Sequence, residues 1–155
     1  GIYYVFYNAK NKVEKGTPWV EQTGYAWSKD LEHWERCPDN PILPIGEPGD
    51  FDDRFASDPC VFKHQDIWTM FYFGLCSDGH ARESVAFSED LRRWRKSEDI
   101  LIDVGDEGDI DSKHAHKPGI ISKEGQLYHF YCSVVPSDRE NAHANNLRGI
   151  TLATN

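Results

Sequence analysis

The chain has 155 residues, one domain's worth by length, with 17 Lys and Arg against 26 Asp and Glu and a formal net charge of -9. That acidic balance excludes the basic footprint that nucleic-acid phosphates require, and it argues against an anionic membrane surface. Mean hydropathy is -0.66, no run approaches the roughly 20 apolar residues of a membrane span, and 13% aromatic residues are too many for a disordered chain. Neither a nucleic-acid partner nor a membrane partner is expected.

The chain opens inside a strand-like aromatic run, Ile2-Tyr3-Tyr4-Val5-Phe6-Tyr7, and no signal peptide is visible, which leaves the compartment open. Two further runs of the same kind follow, Ile67–Tyr72 and Gln126–Tyr131. Tyr7, Tyr72 and Tyr131 stand 65 and 59 residues apart. A second element repeats after the first two runs: Gly24-Tyr25-Ala26-Trp27-Ser28-Lys29-Asp30-Leu31-Glu32-His33-Trp34 matches Ser84-Val85-Ala86-Phe87-Ser88-Glu89-Asp90-Leu91-Arg92-Arg93-Trp94. Gly149–Asn155 begins a third, truncated copy. A third element precedes the aromatic run: Asp58-Pro59-Cys60-Val61-Phe62 before Tyr72, and Lys117-Pro118-Gly119-Ile120-Ile121 before Tyr131. Cys37, Cys60, Cys76 and Cys132 include no C-x-x-C pair, which excludes a zinc ribbon. Cys60 and Cys132 lie in apolar strand runs and read as buried free thiols.

The repeating unit is four short strands (a to d), and units of that kind every 60 or so residues mean propeller blades. The fold expected is all-β: a partial propeller of four-stranded antiparallel blades, about two and a half of them, with copies at about 1–45, 55–100 and 114–155. The second strand of each unit is apolar on nearly every residue, as a strand buried on both faces is. A two-sheet sandwich is the alternative. The Ser-x-Asp-Leu-x-x-Trp frame recurs once per unit and is therefore scaffold. Ser and Asp hold a turn, and Leu and Trp plug the space between blades, so Trp34 and Trp94 are expected to be buried on the face opposite the functional one. Two and a half blades are also expected to form an open arc.

Function collects on long loops over a rigid scaffold. Here those are residues 8–22, 46–58, 74–82, 103–117 and 135–147. Asp58 and Lys117 occupy equivalent positions at the mouths of innermost strands. A carboxylate there is a candidate catalyst or sugar-binding group, or simply the turn former that opens the strand. Asp53, Arg54, His114, His116, Lys117 and Trp19 are the candidate sugar contacts around it. Trp19 in a polar loop suits a sugar platform or packing on a neighbouring loop. His114 and His116 alternate along a strand and share a face, but without a third ligand at useful spacing no metal is expected, and no cofactor.

Asp58-Pro59-Cys60-Val61-Phe62, an aromatic strand and then Ser-x-Asp-Leu-x-x-Trp resemble the five-bladed β-propeller glycoside hydrolases of families 43, 32, 62 and 130. The resemblance spans essentially the whole chain. It implies hydrolysis, or in family 130 phosphorolysis, of glycosidic linkages in oligo- or polysaccharides within a central funnel, by acids carried on the innermost strands. Asp58 then matches one active-site carboxylate. Lys117 departs from the pattern where a second acid is usual. A catalytically inactive carbohydrate-binding propeller and a glycoside phosphorylase are the alternatives.

Overall fold

The computed structural model describes residues 1–11, 18–139 and 145–154. They form ten strands: β1 (Tyr3–Lys10), β2 (Glu21–Ser28), β3 (Glu35–Arg36), β4 (Phe55–His64), β5 (Ile67–Leu75), β6 (Ala81–Ser88), β7 (Arg95–Lys96), β8 (His114–Lys123), β9 (Gln126–Pro136) and β10 (Asn146–Thr154). No helix occurs among the described residues. Neighbours within a unit are antiparallel: β1-β2-β3, then β4-β5-β6-β7, then β8-β9-β10. Short parallel links join successive units, β2 to β4 and β6 to β8. The middle unit has all four strands, and the sheet path ends at β1 and β10 without closing on itself.

The aromatic runs do not share one environment: that of β5 is buried, whereas β1, expected to be covered on both faces, is the end strand of the sheet and exposes Tyr3, Tyr4 and Val5. In β5, residues Met70 to Phe73 are all buried. Both faces of that strand are covered, so alternation gives way to an unbroken apolar run. The core between the first and second units gathers Tyr25, Ile42 and Leu43 from one side and Met70, Tyr72 and Leu91 from the other.

The Ser-x-Asp-Leu-x-x-Trp turn is built the same way twice. Ser88 Oγ accepts the Asp90 N–H, Asp90 Oδ1 accepts the Arg92 and Arg93 N–H groups at 2.9 and 2.8 Å, and Trp94 Nε1 donates to the Leu91 carbonyl. In the first turn Ser28, Asp30, Leu31 and Trp34 make the equivalent bonds. The backbone hydrogen bonds hold the Asp90 carboxyl down at about 2. Ser88 pairs with Trp68, and Trp68 with Lys63, while the Asp58 end of β4 lies level with Tyr72. Four residues along a strand separate the two levels, about 13 Å, so the turns sit at the end of the sheet away from Asp58.

Two further expectations about burial need correction. Trp34 is 40% exposed and Leu31 is 55% exposed, whereas Leu91 is 4% exposed. A turn of this type plugs the space against the preceding unit. Leu91 and Trp94 have the first unit to pack on; among the described residues nothing covers the corresponding face of the first unit. Cys60 and Cys132 are free but only half-buried, and the fully buried thiols are Cys37 and Cys76.

Candidate functional site

Two matching bulges shape the site. In β4, Ser57 pairs with Phe73 and Cys60 with Phe71, so Asp58 and Pro59 together stand opposite Tyr72. In β8, His116 pairs with Cys132 and Gly119 with Phe130, so Lys117 and Pro118 stand opposite Tyr131. Proline has no N–H to give to a ladder and is confined to such places in a sheet. The residue before it turns left-handed in both cases, with φ of 50° at Asp58 and 67° at Lys117. A bulge re-aims a side chain, and these two send Asp58 and Lys117 towards each other.

Lys117 Nζ meets Asp58 Oδ2 at 3.0 Å. Asn8, near the end of β1, completes the group: its Nδ2 donates to Asp58 Oδ1, and its Oδ1 accepts the Asp58 N–H at 2.8 Å. Three successive units thus supply one residue each. They open on a cleft of about 340 Å³, lined also by Phe6, Tyr7, Pro59 and Pro118. Asn8 escaped the sequence reading. Its signal was present, because the in-register positions of the other aromatic strands are Phe73 and Cys132, and Asn8 is the polar exception.

His116 lies behind Lys117 and is buried at 7% exposure. Its Nδ1 donates to the Cys132 carbonyl at 2.9 Å, and its ring meets Phe73 edge-on. His114 sits one residue-pair earlier, with ring centroids 5.7 Å apart, and its Nδ1 accepts the Ala81 N–H. Burial, then the charges of His116, Lys113 and Arg148, push His114 down to about 4. Burial likewise lowers His116. Both imidazoles are neutral near pH 7. No group of three or more metal-ligating side chains occurs among the described residues.

Of the expected site residues only Asp58 and Lys117 line the cleft; His114, His116, Asp53, Arg54 and Trp19 lie outside its lining. Asp53 ties two loops together, accepting the Gly49 N–H at 3.0 Å and the Ser77 N–H at 2.8 Å. Arg54 lays its guanidinium over the Phe55 ring, and its Nε is buried without a partner. Trp19 is 44% exposed, packs against Phe55, and carries Lys10 over its outer face. Segments 12–17 and 140–144 of the long loops lie outside the described residues.

Loops 46–53 and 105–111 buttress this end of the sheet. The Tyr72 hydroxyl donates to Asp52, and the Tyr131 hydroxyl to Asp111 at 2.7 Å. The loop lies so close to β5 that a Cβ on Gly74 would stand 2.5 Å from that of Asp52.

No protein-family model matches the chain, and no curated protein does. Solved structures do match. A glycoside hydrolase is 31% identical, with a TM-score of 0.76, over 97% of this chain and 40% of that one. A family 117 glycoside hydrolase from the marine bacterium Zobellia galactanivorans is 19% identical, with a TM-score of 0.78, over 100% of this chain and 49% of that one. A mutant of the Bombyx mori family 32 β-fructofuranosidase in complex with sucrose is 18% identical, with a TM-score of 0.68, over 97% and 31%. The chain spans about 40% of the length of the first of these. Its three units of strands are an arc of the β-propeller, and the chain has the fold of the β-propeller glycoside hydrolase superfamily.

Proposed function

We propose that the chain is part of a glycosidase that acts on the glycosidic linkages of oligo- or polysaccharides, with Asp58 as an active-site carboxylate. The observation that carries this reading is the convergence of Asp58, Lys117 and Asn8 from three units on one cleft. A residue needed only to open a strand has no use for partners on both neighbouring units. Glycoside hydrolysis takes one group that protonates the leaving oxygen and one that attacks or activates water. Both oxygens of Asp58 accept N–H bonds, Oδ1 from Asn8 and Oδ2 from Lys117. That arrangement suits the basic partner, or the stabiliser of an oxocarbenium-like charge, and not the proton donor. His116, Lys117, His114 and, farther out, Asp53, Arg54 and Trp19 are the proposed sugar contacts.

A second reading rests on a specific observation. Asp58 is the one carboxylate among the described residues lining the cleft, and hydrolysis calls for two. A carbohydrate-binding propeller without turnover needs only the polar groups present.

Reducing-sugar release and calorimetric binding over a panel of oligosaccharides, with Asp58→Asn beside the wild type, test both readings. In the full-length enzyme of which the chain is part, the glycosidase reading expects turnover in the wild type, and a fall on the order of 10³-fold in the variant with its melting temperature nearly unchanged. Activity within a few-fold of wild type makes Asp58 scaffold. Saturable binding without turnover, lost in Asp58→Asn, supports the binding propeller.

A further inference from the structure

Arg54 is a cation that the fold orients and leaves unpaired. Its backbone N–H donates to the Leu75 carbonyl as that of Lys113 does to Val134, so the two hold equivalent places. Each stands four residues before a bulge residue, Asp58 or Lys117. Arg54 therefore lies on the loop side of the cleft, about 13 Å of extended strand from Asp58. Its guanidinium sits 5.7 Å over the Phe55 ring, and its Nε is buried without an acceptor. Among the described residues the side chain makes no hydrogen bond and no ion pair, in a chain whose formal net charge is -9.

The acids of this region are engaged elsewhere. Asp53, next in sequence, gives Oδ2 to the Gly49 N–H and Oδ1 to the Ser77 N–H and hydroxyl. Glu21 accepts from Lys10 Nζ and from Ser57 Oγ, both at 3.0 Å. Asp58 takes Asn8 and Lys117. A partly desolvated guanidinium with no acid beside it is costly in the free protein. The Phe55 ring fixes its plane, and its Nη groups are left as a rigid fork for an acceptor from outside the chain.

Phe55 has a second neighbour. Trp19, 44% exposed, packs on it with ring centroids 6.2 Å apart, and Lys10 Nζ stands 5.3 Å over Trp19. The order Arg54, Phe55, Trp19, Lys10 is a stack with a cation at each end. In the third unit, Lys113 Nζ reaches the neutral Asn146 Oδ1 at 2.9 Å. Exposed aromatic rings offer apolar surface to a sugar ring, and a guanidinium fork matches carboxylate and other oxyanions.

We propose that the loop side of the Asp58 cleft is a subsite for an acidic sugar, with Arg54 holding its anionic group and Trp19 its ring. This rests on the reading of the cleft as a glycan site and adds the substrate class, oligosaccharides that carry a carboxylate or a sulfate ester.

The test uses the full-length protein of which the chain is part, with Arg54→Met and Arg54→Lys beside the wild type. Calorimetry compares matched probes: tri-galacturonate and its methyl ester, a glucuronate-bearing xylo-oligosaccharide and its carboxyl-reduced form, and a κ-carrageenan tetrasaccharide and its desulfated form. The wild type is expected to bind the charged member of at least one pair about 10-fold more tightly than the neutral member. Salt at about 0.5 M should narrow that gap. Arg54→Met should erase it without changing the affinity for the neutral member, and Arg54→Lys, which keeps the charge and loses the fork, should fall between. The pairs that show the gap distinguish a carboxylate from a sulfate ester. No gap in any pair overturns the proposal, and so does a gap that Arg54→Met leaves intact. Absence of turnover in the wild type counts against the glycosidase reading alone, because the gap is read in binding.

Discussion

Leu31 and Leu91 hold the same place in the Ser-x-Asp-Leu-x-x-Trp frame, with the same left-handed backbone, φ of 69° and 64°, and the same hydrogen-bonded turn around them. Only burial separates them, at 55% and 4% exposed. The pair therefore isolates packing from turn formation. Leu91→Ala should cost about 3 kcal/mol, within the range for a buried leucine. Leu31→Ala should cost less than about 1 kcal/mol, as surface changes do. Urea unfolding measures both. Equal losses would mean that the leucine serves the turn and not the gap. Asp58 and Lys117 are left-handed as well, but at bulges, where the backbone conformation re-aims a side chain towards the cleft instead of plugging a core.

At the scale of elements, the second and third units are pinned by a buried acid–base pair. His129 Nε2 of β9 bonds Glu83 Oε2 of β6, Glu83 is fully buried, and its other oxygen, Oε1, has no partner. Burial raises the Glu83 carboxyl above its ordinary value. The first interface holds Thr23 and Met70 at the same positions, which supplies a natural replacement. Breaking a buried pair from one side strands a charge, and exchanging both partners for fitting neutral residues is often neutral or better. His129→Met alone should destabilise by about 3 kcal/mol, while Glu83→Thr with His129→Met should lie within about 1 kcal/mol of wild type or above it. Additive losses in a double-mutant cycle would show that the pair is not what holds the two strands together.

Over the whole molecule, acid sensitivity should come first from the imidazoles at the site. Burial lowers His114 to about 4 and lowers His116, whereas an unfolded histidine titrates near 6.5. Between those values the unfolded chain binds more protons than the folded one, so stability should fall as pH drops from about 6.5 towards 4. Glu83 opposes this, because its raised value makes the folded state the stronger proton binder above the ordinary glutamate range. Asp53, Asp78 and Asp90 are lowered, and their contribution is lost only at more acid pH. The urea midpoint should therefore be higher at pH 6.5 than at pH 4.5, and His114→Gln should flatten that slope. An unchanged slope in the variant would place the titrating group elsewhere.

The register of three aromatic strands and the repeated Ser-x-Asp-Leu-x-x-Trp frame sufficed to identify the blades, because strand pattern and turn chemistry are local and each copy repeats them in the residues themselves. The equivalence of Asp58 and Lys117 was legible for the same reason. Their contact was not. It depends on two bulges and on how successive units fan past one another, which no spacing along the chain encodes. Asn8 shows the limit most clearly: it sits 50 residues from Asp58, and only the tertiary structure brings the end of β1 to the bulge of β4. Burial divides in the same way. Leu31 and Leu91 hold one position of the same frame and still differ in burial, because what a turn packs on is decided by its neighbouring unit and not by the turn itself.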